Sequence, residues 1–149
     1  MKFSNVEELK QAVGSHLGFS EWWEITQERV DLFADATDDH QFIHVDPQRA
    51  AQTPFGGPIA HGFLTLSMGI PLLQQIIQVE GVRMAVNYGV NKVRFPAPVP
   101  VGSKLRAGAS IVSVDDVSGG VQLVLDVTFE IEGGEKPVCV AQTVSRYYL

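Results

Sequence analysis

The chain has 149 residues, 45% of them hydrophobic and 19% charged, which is ordinary for one globular domain spanning residues 1–149. The net charge of −6 argues against nucleic acid or an anionic membrane as the main partner. Cys139 is the only cysteine, so a disulfide framework is excluded and a reducing compartment is expected. The first residues are polar and show no signal peptide, which favours a cytoplasmic protein.

Short helices and one strand are predicted for the first sixty residues. Apolar spacing and residue type predict a helix over 6–13, a strand over 19–25, a helix over 27–36 and a helical turn over 48–51. Thr26 is a good N-cap for the second of these helices. Asp46 and Pro47 have the chemistry of a cap followed by the first helical position, so they open the last one.

A long apolar stretch follows at residues 61–77. It is apolar on nearly all sides, which is typical of a buried helix. His61, Thr65, Ser67, Gln74 and Gln75 make it too polar for a membrane span. Pro71 is expected to kink this helix or to divide it in two.

The last part of the chain has the composition of β-strands. Strands are predicted over 82–95, 104–114, 121–131 and 137–148, separated by turn-like residues. The last two should form a hairpin around residues 132–135. One buried helix preceded by one strand and followed by four predicts an α+β protein, in which an antiparallel sheet wraps around the helix.

Residues 37–46 carry the chemistry. Acids and histidines occur there together with the apolar residues Phe42, Ile43 and Val45. This combination is expected of a segment that leaves the surface and enters a partly desolvated pocket. An imidazole there can take or return a proton, and a carboxylate can orient it or hold a water. Asp39 and His44 are the candidates, although a turn cap and a half-buried structural histidine would leave the same residues. The acids and histidines also suggest a metal site, but no His-x-x-x-His or Glu-x-x-His pair supports one.

Two motifs resemble the MaoC-like family of (R)-specific enoyl-CoA hydratases. The first places Asp39, His44 and Asp46 at the family's spacing, and the second is the pair His61-Gly62 opening the apolar helix. Gln41 stands where the family usually has Asn, and Phe42 where it has Pro, which removes a fixed φ. This form resembles the branch of the family named after nodulation protein N. The resemblance covers nearly the whole chain and implies a hot-dog fold with a five-stranded antiparallel sheet around a long central helix.

The resemblance also implies roles for these residues. Asp39 and His44 hold the water that adds across the C2=C3 bond of a trans-2-enoyl-CoA, with the acid and base roles left unassigned. Gly62 offers a helix-opening N–H to the thioester oxygen, or else serves only in helix packing. The other expected substrate-binding residues are Gln41, Phe42, His61 and Phe63, with Lys92 and Arg94 for the CoA phosphates. His61 could also be a structural hydrogen-bonder, and a solvated strand face explains Lys92 and Arg94 equally well.

The predicted activity is therefore that of a hydro-lyase that forms an (R)-3-hydroxyacyl-CoA. No cofactor or metal is expected, since CoA is part of the substrate. Two alternatives stay open, a hot-dog acyl-CoA thioesterase and a non-catalytic module that binds an acyl-CoA or a partner protein. A lone sheet has exposed edges, so we expect a homodimer or an assembly of dimers, without nucleic acid and without membrane insertion.

Overall fold

A computed structural model describes the whole chain, residues 1–149. The helices lie in the first half of the chain: α1 Val6–Gln11, α2 Gln27–Thr37, α3 Phe42–Val45, α4 Pro47–Ala50, α5 Gly62–Ser67 and α6 Gly69–Ile76. The predicted N-caps are confirmed. Thr26 Oγ1 accepts the Arg29 N–H at 3.2 Å and Asp46 Oδ1 accepts the Arg49 N–H at 3.1 Å, so each side chain satisfies a donor that the helix leaves free.

Eight strands are present: β1 Lys2–Phe3, β2 His16–Phe19, β3 Trp23–Glu24, β4 Gln78–Val79, β5 Met84–Arg94, β6 Lys104–Val117, β7 Gly120–Ile131 and β8 Cys139–Tyr148. The main sheet has the order β2-β6-β7-β8-β5 with antiparallel neighbours, and β3 pairs with β6 on the same side as β2. Strands are thus found at all five predicted positions, but the sheet has six strands, because the first predicted strand is divided in two. Strands β1 and β4 form a separate parallel pair.

The predicted strand over 19–25 is wrong in its extent, because it is divided into β2 and β3. Ser20 lies between them, and its hydroxyl accepts the Ala107 N–H at 3.0 Å. A backbone carbonyl would accept that N–H in a regular ladder. The side chain of Ser20 therefore takes over one rung, and the strand pairing resumes only at Trp23.

The predicted central helix is divided into α5 and α6, with the break at Met68. Pro71 explains the position of the break, three residues before itself. Proline has no N–H for the Ser67 carbonyl, and its ring crowds that same carbonyl one turn earlier. The helix axis nevertheless continues, since the Met68 N–H bonds to Leu64 O at 2.9 Å and the Leu72 N–H to Met68 O at 3.2 Å.

The core lies between the helices α5 and α6 and one face of the sheet. Leu72 and Ile76 of α6 are buried there together with Leu105 and Phe129 of the sheet. At Gly69, a Cβ atom would stand 3.0 Å from Phe129 Cζ, so the absence of a side chain allows the helix to approach the sheet closely. None of the helices is both long and apolar enough to cross a membrane.

Candidate active site

Helix α3 is a single turn whose position is fixed from two sides. Gln27 of α2 donates from Nε2 to the His44 carbonyl at 2.8 Å. On the other side, the Ile59 N–H bonds to the Ile43 carbonyl at 2.9 Å. The turn is therefore held between α2 and the segment that leads into α5, and the His44 side chain has a defined place.

His44 is buried, with 7% of its surface exposed. Its Nδ1 lies 2.6 Å from the Ile59 carbonyl oxygen, which can only accept, so Nδ1 carries the proton. In the neutral ring this leaves the Nε2 lone pair free to act as a base. Burial lowers the pKa of His44 from its usual 6.5, against the Ile59 hydrogen bond, which acts in the opposite direction.

Asp39 follows Asp38, whose backbone is left-handed at φ 60° and ends α2. About half of the Asp39 carboxylate is exposed, and its Oδ1 accepts the Gln41 N–H at 3.4 Å. The side-chain ligand atoms of Asp39, His44 and His61 all lie within 4.8 Å of one another. The structure thus brings together the carboxylate and the imidazole that the sequence singled out.

His61 is buried behind this pair. Its Nε2 donates to the Asp39 carbonyl at 2.9 Å, and its ring stacks on His44 with centroids 3.9 Å apart and planes 23° apart. Its Nδ1 is buried without a partner. The contacts are those of a histidine that supports the loop of Asp39 and the ring of His44.

A cavity of about 320 Å³ opens beside His44. Of the predicted residues, only His44 and Gly62 line it. The remaining lining residues are mostly apolar: Phe55, Ile59, Ala60, Thr65, Phe95, Pro96, Ala97, Pro98, Val99 and Val138. This is the setting in which an apolar ligand with one polar centre would meet the imidazole.

Gly62 is the first residue of α5, so its N–H has no acceptor within the helix. The space that its missing side chain leaves is occupied by Phe95, whose Cδ2 lies 3.0 Å from the position of a Cβ atom. The φ angle of Gly62 is not in the left-handed region, so the backbone does not require glycine. Packing against Phe95 therefore explains the absence of a side chain, and the free N–H remains available to a ligand.

Three of the predicted substrate-binding residues do not line the cavity. Gln41 is exposed and contacts Asp39 through its backbone N–H. The Phe42 ring is half-buried under the Arg49 guanidinium, 4.3 Å from ring centroid to Cζ. Phe63 is 66% exposed and meets the edge of Phe95 with centroids 6.1 Å apart.

The two predicted CoA-binding cations occupy different places. Arg94 is exposed and directly precedes Phe95, which lines the cavity. Lys92 lies instead in a shallow depression with Asp126, Thr128 and Gln142. The structure therefore brings Arg94 near the cavity and leaves Lys92 apart from it.

The sequence also suggests a metal site formed by acids and histidines, namely Asp38, Asp39, His40, His44 and Asp46. Of these, only Asp39 and His44 come together, and His61 joins them. One nitrogen of each ring already bonds to a backbone carbonyl, His44 Nδ1 to that of Ile59 and His61 Nε2 to that of Asp39. The absence of a metal stays a prediction.

Two elements of the cavity went unrecognised in the sequence. The sequence predicts Phe95 only as the end of a strand and residues 96–98 only as a turn, yet Phe95, Pro98 and Val99 form one wall. Thr65 was noted only as a polar residue of the helix. Its spacing of three residues from Gly62 places both on one helical face, and this signal could have identified it.

Two consecutive helices, α5 and α6, pack against an antiparallel sheet, and a carboxylate and an imidazole lie beside the N-terminus of α5. This arrangement defines a hot-dog protein equipped for acid–base chemistry. Residues 8–130 match the MaoC like domain. The chain therefore belongs to the MaoC-like dehydratase family, and the predictions of this family, of the hot-dog fold and of a hydro-lyase are confirmed.

Known relatives agree with this assignment. The chain is similar to 3-hydroxyacyl-thioester dehydratase Z of Mycobacterium tuberculosis, with 56% identity over 97% of each chain. It is 42% identical to Nodulation protein N of Rhizobium leguminosarum bv. viciae over 95% of this chain and 89% of that one. The solved (R)-hydratase from A. caviae, involved in PHA biosynthesis, superimposes with a TM-score of 0.69 at 26% identity, covering 89% of this chain and 94% of that one.

The lowered pKa of His44 predicts the acid limb of the pH profile. If neutral His44 is the base, kcat/KM for hydration falls as the pH decreases through the pKa of His44 in the free enzyme. Because burial lowers that pKa, the midpoint should lie below 6.5. Initial rates measured across this range with one substrate give the midpoint, and a value at or above 6.5 would contradict the assignment.

The contact at Gly62 predicts a steric effect of Gly62→Ala. The new methyl group must displace the Phe95 ring. We therefore expect the free energy of unfolding to fall by about 1–3 kcal/mol, the usual range for overpacking. Gly57→Ala is the matched control, since nothing lies within 4 Å of its Cβ position. Urea unfolding measures both variants, and adding Phe95→Ala should reduce the effect of Gly62→Ala. Equal losses with and without Phe95 would contradict the contact.

Proposed function

We propose that the protein adds water across the C2=C3 bond of a trans-2-enoyl-CoA to give the (R)-3-hydroxyacyl-CoA. The observation that carries this proposal is the pairing of Asp39 with a His44 whose unprotonated Nε2 belongs to a buried ring at an apolar cavity. The relative named 3-hydroxyacyl-thioester dehydratase Z supports the same reaction in its reverse direction. The fold of the (R)-hydratase from A. caviae supports the (R) configuration.

The reaction requires a water, a base and a donor at the thioester oxygen. The water lies between Asp39 and His44, and one member of the pair removes a proton as the oxygen bonds to C3. The π electrons move to C2 and to the thioester oxygen, where the Gly62 N–H stabilises the negative charge. A proton then returns to C2, so that one water is added and nothing else is consumed.

The CoA moiety belongs to the substrate, so we propose no separate cofactor. Its phosphates need cationic partners at the mouth of the cavity. Arg94 supports this role by its place beside Phe95, and its guanidinium has no carboxylate partner. Lys92 is the weaker candidate because it lies in a separate depression.

Crotonyl-CoA separates this function from the two alternatives. Loss of the enoyl absorbance without release of thiol supports a hydratase. Release of free CoA thiol would instead indicate a thioesterase, in which water attacks the carbonyl carbon. If a panel of enoyl-CoA substrates binds and neither change occurs, the chain is a binding module and the proposed function is wrong.

The proposed roles predict that Asp39→Asn and His44→Ala each lower turnover by about 10²- to 10⁴-fold, the usual scale for a positioned acid or base. The double variant should lose much less than the product of the two effects, because both residues act on one water. Steady-state rates with crotonyl-CoA measure this. His40→Ala is a matched control, since His40 is exposed and its Nε2 bonds to the Asp35 carboxylate. More than about a tenth of the activity in either single variant would contradict the role.

We further propose that the protein is a homodimer paired through β5. This edge strand has eleven residues, nearly all exposed, and its outer edge has no partner strand. Met84, Val86, Tyr88 and Val90 are large apolar residues that are 40–58% exposed. A long, apolar and unpaired edge strand promotes aggregation unless another strand pairs with it. We propose that β5 of a second copy of the chain is that strand.

Val90→Lys should weaken this dimer, because a charge on the edge strand opposes pairing with a second copy. The wild type should sediment with a mass near twice 16.3 kDa at micromolar concentration. Val112→Lys is the control, since Val112 is an equally exposed valine on β6, which already has strands on both sides. A wild type near 16.3 kDa, or equal effects of both variants, would contradict pairing through β5.

A further inference from the structure

Thr65 of α5 is a buried side chain whose hydroxyl has no protein partner. Only 2% of the residue is exposed, and it lines the same cavity as His44 and Gly62. The buried side-chain polar atoms that lack both a partner and solvent are Gln27 Oε1 and His61 Nδ1. The Thr65 hydroxyl is not one of them and forms no hydrogen bond, so its small accessible surface opens into the cavity.

Other hydroxyl groups on helices of this chain behave differently. Thr37 donates to the Phe33 carbonyl and Ser67 to the Phe63 carbonyl, both at 2.7 Å, in the usual bond to the residue four positions earlier. The Thr65 hydroxyl could bond in the same way to the His61 carbonyl, which accepts the Thr65 N–H at 3.1 Å, but it does not. A donor is thereby kept free at the wall of the cavity.

The helix places this donor close to Gly62. Residues three apart are neighbours on a helix surface, and helical side chains lean toward the N-terminus. The Thr65 side chain therefore lies over the first turn of α5, where the Gly62 N–H is free. Ser67 does not share this position, because its hydroxyl bonds to Phe63 and it lines a different cavity with Leu66 and Gly69.

We propose that the Thr65 hydroxyl is a second hydrogen-bond donor to the thioester carbonyl oxygen, beside the Gly62 N–H. The assignment rests on the proposed function, since it concerns the same site and substrate. Thr65 keeps its proton throughout, and its hydrogen bond strengthens as negative charge accumulates on that oxygen. It is a catalytic residue in the sense that it contacts the reacting group.

Thr65→Val tests the role by removing the hydroxyl at nearly constant volume. We expect kcat with crotonyl-CoA to fall by about 10²-fold, the lower end of the range for one oxyanion donor. Thr65→Ser should restore most of the loss, because it keeps the hydroxyl. The thermal midpoint of Thr65→Val should not fall, since no protein contact is lost. Ser67→Ala is the matched control and should keep wild-type kcat. A folded Thr65→Val with wild-type kcat would overturn the proposal.

A second measurement separates the thioester from the water as the target of the hydroxyl. Hexanoyl-CoA, isotope-labelled at the carbonyl carbon, has no double bond and cannot be hydrated, so its carbonyl stretch is observable by difference infrared spectroscopy. We expect a lower frequency in the wild-type complex than in solution, and a partial return in Thr65→Val. An unchanged frequency in Thr65→Val would overturn the assignment, even if kcat fell.

The same measurement distinguishes failure of this inference from failure of the proposed function. A polarised carbonyl that depends on Thr65, in a protein that hydrates no enoyl-CoA, would support the Thr65 contact and overturn the hydratase. Hydration that depends on Asp39 and His44 but not on Thr65 would leave the function and overturn the inference. If hexanoyl-CoA does not bind the wild type at the concentrations at which crotonyl-CoA is hydrated, the inference is wrong.

Discussion

The hydrogen bond from His44 Nδ1–H to the Ile59 carbonyl is the contact on which the site depends. It fixes the tautomer, so that Nε2 carries the lone pair. It also connects α3 to the segment that pairs with residues 99–101 and continues directly into α5. The His44 ring and the first turn of α5 are therefore positioned by one short piece of backbone, and a shift of that piece would move both together.

The carboxylate and the imidazole of the site differ in their surroundings. Asp39 is half-exposed, so water supports its negative charge without a protein cation. His44 is buried, and burial disfavours its charged form, which is why its pKa is lowered. The protonated form of His44 is therefore disfavoured, and it releases its proton readily. The pair is thus suited to moving a proton in either direction, as a reversible hydration requires.

Features that depend on neighbouring residues could be predicted from the sequence. The caps at Thr26 and Asp46 and the division of the helix before Pro71 follow from local chemistry. The four later strands follow from β-branched and aromatic runs. Asp39 and His44 stand out in the sequence because acids and histidines lie beside apolar residues in one short segment, and because their spacing resembles that of the MaoC-like family.

Features that depend on strand order could not be predicted. Nothing in the pattern of β5 indicates that it pairs with β8, at the edge of the sheet, and this pairing brings Phe95 over Gly62. The alternation rule predicted one face for Lys92 and Arg94. Lys92, Val93 and Arg94 pair in unbroken register with Gln142, Ala141 and Val140, so that alternation holds. It does not show which part of the strand lies at the cavity, and the position of Lys92 could therefore not be derived from it.

His61 and Gly62 make distinct contributions although they are adjacent. The ring of His61 stacks on His44, and its positive form would repel that of His44, which further lowers the pKa of His44. Its Nε2–H holds the Asp39 carbonyl, so it also sets the position of the carboxylate loop. Gly62 contributes through its backbone alone, with Phe95 in the place of a side chain. The first residues of α5 thus position the Asp39 loop, lower the pKa of His44 and leave a free N–H at the cavity.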